Sequence, residues 1–314
     1  MTPASLLWSA TPTPLTEDFR LDLPSVARMV EWHVDLGVDG VMILGTCGEG
    51  PWMPDAQREA LIRETVDRAA GRLGVAVQTT DNSPARILEQ IETAARHGAT
   101  LATVAQPWFL LCATPARLEA FYLEIFDRSP LPIAFYDRGR HASIAVPEEL
   151  LPTLYAHPRV VMAKDSSSDP GRRQAALDAR AARRKTGQPL ALLNGDEFAC
   201  VDYFRAGYDG MMLGGAIVNA RYVRAMAAAL RDGREEEARA IESAMSELLY
   251  TVYGGREIRC WLAGLKETLV RLGIFTTHQN YLGYALDEPC RAALDQLFEI
   301  GREWLTPAPA TALS

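Results

Sequence analysis

The chain lacks the features that would place it in a membrane, on nucleic acid or around a structural metal. No apolar run approaches the ~18 residues that a membrane-spanning helix requires, and the opening MTPASLLWSATPTP has no basic segment of the kind that starts a secretory signal. A cytoplasmic protein is the expectation. Positive charge is also scarce, with 32 Lys and Arg against 40 Asp and Glu and a net charge of -8, so nothing draws the chain to phosphate backbones or anionic lipid. Its five cysteines, Cys47, Cys112, Cys200, Cys260 and Cys290, are odd in number and widely spread, and none falls in a CxxC or Cys/His ligand pattern. Neither a disulfide framework nor a zinc site is implied, and for all but Cys47, whose neighbours set it apart, no more than reduced, partly buried thiols are expected.

What remains is 314 residues, 48% of them hydrophobic, enough to bury a large core. Short apolar runs alternate with longer amphipathic ones, which is the pattern of a parallel sheet wrapped by helices. Strands are expected over residues 7–11, 40–44, 75–79, 101–105, 133–136, 160–164, 190–194 and 210–213. Helices are expected over 23–36, 55–70, 84–97, 115–126, 147–155, 171–184, 197–206 and 219–231. Eight such units suit a closed (β/α)8 TIM barrel over residues 1–232. The alternation then gives way to helices alone, at 235–253, 258–272 and 287–304. They read as an α-helical extension (233–305) packed on the barrel, because no Gly/Ser/Pro linker precedes them, and residues 306–314 read as a tail.

In a parallel barrel the chemistry belongs at the C-terminal ends of the strands. The run RVVMAKDSSSD at 159–169 carries Lys164 at such an end, where an apolar strand meets a polar cluster. Alone, this is a lysine whose amine could simply snorkel to water. Three other strand ends are chemically unusual too. Strand two runs into Gly45-Thr46-Cys47-Gly48-Glu49-Gly50, whose amides can hold a carboxylate. Strand five ends in Tyr136-Asp137, and strand seven in Asn194-Gly195-Asp196-Glu197.

GTCGE at 45–49, FYD at 135–137, AKDSS at 163–167 and LNGDE at 193–197, in that order, resemble the N-acetylneuraminate lyase and dihydrodipicolinate synthase family of class I aldolases. TPTPLT near the start, GGAIVN at 214–219 and GLKETLVRLGI at 264–274 extend the likeness over almost the whole chain. The resemblance implies that Lys164 forms an imine with pyruvate or a related 2-oxo acid, and that the imine acts as an electron sink while a bond to an aldehyde is made or broken. It implies Tyr136 as the proton carrier. Thr46, Cys47 and Gly48 become the carboxylate holders, with Thr46 also beside the tyrosine hydroxyl. No metal or diffusible cofactor is implied, and the partner molecules are a small 2-oxo acid and an aldehyde. Nucleic acid and membrane are not among them, and the assembly implied is a homo-oligomer, a dimer of dimers.

Departures from the family pattern bear on the second substrate. Cys47 stands where a second hydroxyl is usual, and a thiol is the weaker donor. Gln106-Pro107-Trp108-Phe109 replaces a tyrosine pair after strand four. Two arginines, Arg138 and Arg140, follow Tyr136, and Arg140 is the better match for a ligand of the second substrate's carboxylate. Gly195 and Glu197 are expected to contact the substrate, but Ala216 offers no hydroxyl where sialic-acid lyases have one. If the loops follow the family, Trp52, Met53, Trp108, Phe109 and Cys112 line the cavity entrance and favour an aldehyde with an apolar or aromatic portion; subunit packing accounts equally well for these side chains. The alternatives carried forward are a dehydratase of a 2-oxo-3-deoxy sugar acid, a dihydrodipicolinate synthase, and a barrel that binds a 2-oxo acid without turning it over.

Overall fold

A computed structural model describes residues 5–300 and 303–307. Eight parallel strands close in chain order into one barrel: β1 (Leu6–Ser9), β2 (Gly40–Ile43), β3 (Gly74–Gln78), β4 (Leu101–Val104), β5 (Ile133–Asp137), β6 (Val160–Asp165), β7 (Ala191–Asn194) and β8 (Gly210–Leu213). Pairing of β8 with β1, Leu6 to Ser9 against Gly210 to Leu213, completes the ring. The helices that follow the strands are α1 (Leu23–Asp35), α2 (Asp55–Ala69), α3 (Pro84–Arg96), α4 (Pro115–Arg128), α5 (Leu151–Ala156), α6 (Pro170–Lys185), α7 (Cys200–Ala206) and α8 (Ala216–Arg231). The fold is the expected (β/α)8 barrel.

Each strand sends alternate residues inward. Trp8, Met42, Ala76, Leu101, Ala134, Met162, Leu193 and Met212 pack together inside the ring. The single large ring among them, Trp8, fits because Gly40 and Gly74 lie beside it: a Cβ on either would sit 2.6 Å from the indole. Two residues further along β5 and β6 the same inward phase carries Tyr136 and Lys164, so core packing aims both side chains up the barrel axis.

Helix starts follow the local chemistry. The side chains of Asp22, Ser83, Thr114 and Asp169 accept from backbone N–H groups of the first turn, each with a proline at the first or second helical position. Helix starts differ from the sequence expectation by three or more residues in four places. A 3-10 turn, Glu148–Leu150, precedes a short α5. Helix α7 begins at Cys200 rather than at 197, after a turn in which Asn194 Oδ1 and Asp196 Oδ1 accept from the amides of Asp196 and Phe198. Helix α8 begins at Ala216, and helix α10 (Trp261–Arg271) begins three residues late, after Ile258 in the left-handed region.

The extension consists of α9 (Glu235–Tyr253), α10 and α11 (Glu288–Ile300), followed by a 3-10 turn at Glu303–Leu305. Helix α9 packs on α8, and α10 and α11 pack on α9. Residues 301–302 of the expected last helix, and 308–314 of the expected tail, lie outside the described residues.

Candidate active site

The C-terminal ends of the strands open into a cavity of about 450 Å3 lined by Thr46, Cys47, Tyr136, Lys164, Gly195 and Glu197 among others. Lys164, only 4% exposed, is the one lysine in it. Its Nζ lies 4.6 Å from the centroid of the Tyr136 ring, the neighbouring inward side chain on β5. Gly195 makes room for this arrangement, since a Cβ there would lie 2.8 Å from Lys164 Cε and would overlap Ser166 Oγ.

Behind the two side chains, buried carboxylates fix the strand ends. Asp137 accepts both Nε and Nη2 of Arg172 at 2.8 Å, and also Gln106 Nε2 and the Gly139 amide. Arg172 further donates to the Val146 carbonyl. Asp165 accepts from the Tyr208 hydroxyl at 2.7 Å and from the amide and hydroxyl of Ser167. Burial pushes the Asp165 carboxyl above its usual range, against the pull of these donors. The residues that present Lys164 and Tyr136 are therefore held by charge-assisted bonds out of water.

The turn after β2 is held in an unusual backbone. Leu44 and Glu49, at its two ends, both have left-handed φ values, 61° and 59°. Gly48 has no space for a side chain, with Leu44 N 2.8 Å from the place of a Cβ, and its carbonyl accepts from Thr13 Oγ1 at 2.7 Å. The Glu49 carboxylate turns inward to a fully buried ion pair with Lys266 on α10 and accepts the Tyr281 amide at 2.5 Å. Thr46 Oγ1 is buried without a hydrogen-bond partner among the described residues, a donor free for a ligand. Cys47 cannot substitute for a hydroxyl relay as a thiolate: burial, reinforced by the Glu197 and Glu49 carboxylates, pushes its thiol far up.

Several expected contacts lie elsewhere. Arg140 is exposed and outside the cavity, because Gly139–His141 forms a 3-10 turn that carries it away; Arg138, one residue past β5, lines the cavity instead. Its guanidinium lies 5.9 Å from the centroid of Trp108, and it has no carboxylate partner among the described residues. Trp108 and Phe109 do not line the cavity, and Phe109 is 65% exposed on a loop tied by its amide to Asn82 Oδ1. Trp52 and Cys112 are exposed, and Met53 is buried in the core. Ala216 is buried at the start of α8, so its neighbour Gly214 borders the cavity in its place.

The apolar wall comes instead from residues that local sequence reading did not associate with the site: Phe198 after β7, and Tyr253, Ile258, Trp261 and Tyr284 from the extension. Trp261 and Tyr284 meet edge to face with centroids 5.6 Å apart. Tyr253, the last residue of α9, donates its hydroxyl to Glu197 at 2.7 Å, and the Gly215 amide donates to the other carboxyl oxygen. No cluster of three or more His, Cys, Asp or Glu is placed to hold a metal among the described residues, and no helix there is long and apolar enough to cross a membrane.

All of this site except Tyr284 sits within residues 4–280, the stretch that matches the model of the Dihydrodipicolinate synthetase family. The chain belongs to that family. A 4-hydroxy-tetrahydrodipicolinate synthase of Stenotrophomonas maltophilia (strain R551-3) is 32% identical over 212 residues, which are 68% of this chain and 69% of that protein. The dihydrodipicolinate synthase of Bacteroides thetaiotaomicron superposes with a TM-score of 0.84 at 25% identity, over 96% of this chain and 100% of that one. A prophage protein of the same family from E. coli K12, solved in complex with pyruvate, superposes with a TM-score of 0.81 at 20% identity, over 94% and 98% of the two chains, a likeness of fold. In this chain Lys164 occupies the end of barrel strand six, Cys47 lines the cavity beside Thr46, and Arg138 is the arginine that faces it.

Proposed function

We propose that the chain is a Schiff-base-forming lyase that makes or breaks a carbon–carbon bond between pyruvate, or a close 2-oxo acid, and an aldehyde. The observation that carries this reading is the placement of a single buried lysine, Lys164, at a strand end inside the cavity with Tyr136 directly beside its amine. Lys164 adds to the ketone carbon and water leaves. The protonated imine then takes up the electron pair of the bond that breaks, or supplies through its enamine the pair that forms the new bond. Tyr136 carries protons to and from the oxygens that come and go. The amides of the 45–48 turn and the Thr46 hydroxyl hold the 2-oxo acid's carboxylate. The chemistry calls for no metal and no diffusible cofactor.

The distal end of the cavity suits an aldehyde with an apolar or aromatic body resting on Phe198, Trp261 and Tyr284. Arg138, without a carboxylate partner among the described residues, suits a negative group on that molecule. Exposed Trp52, Phe109 and Leu111 fit burial in the family's dimer-of-dimers assembly, which light scattering would read. A cytoplasmic location fits this metabolic chemistry.

A pyruvate-release screen over aromatic and sugar-derived hydroxy-2-oxo acids, run beside a dehydration screen and a dihydrodipicolinate synthase assay, tests the reading. Aldehyde and pyruvate released together support the lyase. Loss of water alone places the chain with the dehydratases, and product from pyruvate and aspartate semialdehyde with the synthases. Imine formation with no turnover in any of the three leaves a 2-oxo acid-binding barrel and contradicts the proposal.

A further inference from the structure

Imine chemistry at Lys164 moves protons at more than one atom. Oxygens gain and lose protons when the carbinolamine forms and collapses, and a C–H proton must also move when the imine becomes an enamine. Tyr136 flanks Lys164 from β5. On the opposite side, beyond β7, Glu197 reaches the same cavity, half-buried. Its Oε2 accepts from Tyr253 and its Oε1 from the Gly215 amide, which fixes the carboxyl in place and leaves lone pairs free. Gly214 leaves an opening where a Cβ would lie 3.2 Å from Glu197 Oε1 and 3.7 Å from Cys47 Sγ, so this carboxyl faces the end of the turn that would hold the substrate carboxylate. A short 2-oxo acid extending from that turn to Lys164 therefore passes beside Glu197.

We propose that Glu197 is the base that removes, and the acid that returns, the proton on the carbon next to the imine, and that Tyr253 is its positioning residue. This deepens the lyase reading and rests on it. With pyruvate bound to Lys164 as the protonated imine, a methyl C–H bond breaks and its electron pair becomes the C=C bond. The C=N π pair moves onto Nζ, and the proton passes to Glu197, leaving a neutral enamine beside a carboxylic acid. Release of pyruvate after bond cleavage runs the same step backwards.

The other acidic groups in the cavity lie towards its solvent side, Asp196 through its exposed contact with Ser168 and Glu257 through its own exposure. Asp196 accepts from the Ser168 hydroxyl at 2.7 Å and from the Phe198 amide at 3.0 Å. Glu257 has a side chain that is 82% exposed. Cys47 keeps its proton, because burial holds the thiol up. Burial also pushes Glu197 above the usual carboxylate range, against the pull of the Gly215 amide, Tyr253 and Lys164, which strengthens it as a base. Tyr253 is pushed far up by burial and then by Glu197, so it remains the donor in their hydrogen bond.

Two readouts with pyruvate alone separate imine from enamine. Borohydride trapping reports the imine, and loss of the methyl proton signal in heavy water reports the enamine. Glu197→Gln is expected to trap within about threefold of the parent while its methyl exchange falls by roughly 10²-fold or more. Tyr253→Phe removes a hydrogen bond that favours the carboxylate, so its exchange, normalised to trapping, should rise through a higher pH than in the parent. The groups facing Glu197 in that titration are Lys164, Cys47, Asp196, Cys200 and Tyr253 itself. Exchange by Glu197→Gln within threefold of the parent overturns the proposal, as does a parent that traps but does not exchange. Equal loss of trapping and exchange in Glu197→Gln assigns the residue to structure instead. An unmoved pH profile in Tyr253→Phe removes the positioning role. Failure of the parent to trap at all refutes the lyase reading itself and is distinguishable from each of these.

Discussion

Replacing Lys266 by methionine would leave the Glu49 carboxylate inside the protein with its cation gone. The two side chains are fully buried, and Lys266 Nζ also donates to the Gln279 carbonyl at 2.6 Å, while Glu49 retains only the Tyr281 amide. Breaking a buried pair by removing one partner costs roughly 3–5 kcal/mol, most of it the penalty for an uncompensated charge. The stranded Gln279 carbonyl falls within that range. Burial pushes Glu49 up and Lys266 down, so desolvation outweighs the attraction between them. It follows that the pair contributes little net stability compared with apolar residues of similar size, and that its consequence is conformational: it clamps Glu49 at φ 59° and thereby shapes the carboxylate-holding turn. Denaturant unfolding of Lys266→Met, Glu49→Gln and the double variant checks this. The single lysine variant should lose about 3 kcal/mol or more, and the double variant, with no charge left buried, should recover a substantial part of that loss. Added salt should leave the difference intact, since the pair is out of reach of counterions. The double variant, folded but with its turn unclamped, should bind 2-oxo acids more weakly. A Lys266→Met protein within about 1 kcal/mol of the parent would refute the reasoning, because a stranded buried carboxylate carries a larger penalty than that.

Three further outcomes are expected. Tyr136→Phe should keep a measurable imine adduct and lose roughly 10²-fold or more in turnover; equal activity to the parent in a steady-state assay contradicts the role given to its hydroxyl. Lys164→Ala should retain the parent's circular dichroism and unfolding transition while yielding no turnover, and a variant that keeps turning over removes the nucleophile from Lys164. His33 on α1 is fully buried, bonded through Nδ1 to the Met29 carbonyl and through Nε2 to Ser9 Oγ, and burial lowers its pKa from 6.5 to about 4. The unfolded chain therefore binds a proton that the folded one refuses between those values. Stability should fall as pH drops from about 6.5 towards about 4, by on the order of 3 kcal/mol from this residue. Denaturant midpoints at stepped pH should fall more steeply for the parent than for His33→Leu, and parallel curves would contradict the assignment.

The barrel was legible because each strand is a short β-rich run buried on both faces, and each helix carries its own start signals, as at Ser83-Pro84 and Thr114-Pro115. Lys164, Tyr136 and the 45–49 turn were legible for the same reason, since strand ends are positions that chain order alone locates. The distal wall was not. Tyr253, Trp261 and Tyr284 reach the cavity from the extension, far along the chain from Lys164, and nothing local marks a helix end as facing a barrel mouth. Arg138 and Arg140 could not be separated by spacing, because the intervening 3-10 turn hangs on Asp137, which takes the Gly139 amide and is itself fixed by the distant Arg172. The late start of α7 could not be read locally, because Asp196, with its side chain on the Phe198 amide, has the form of an N-cap for a helix at 197, yet the chain makes a further turn before Cys200. This same interruption leaves Glu197 on a loop, with its carboxyl free to turn into the cavity.

The most direct test of the central claim is mass spectrometry of the protein after incubation with pyruvate and borohydride, followed by peptide mapping. A single adduct with the mass of pyruvate less one oxygen atom is expected, located on Lys164 and lacking in Lys164→Ala. An unmodified parent with every 2-oxo acid tried, or an adduct carried by another lysine, would contradict it.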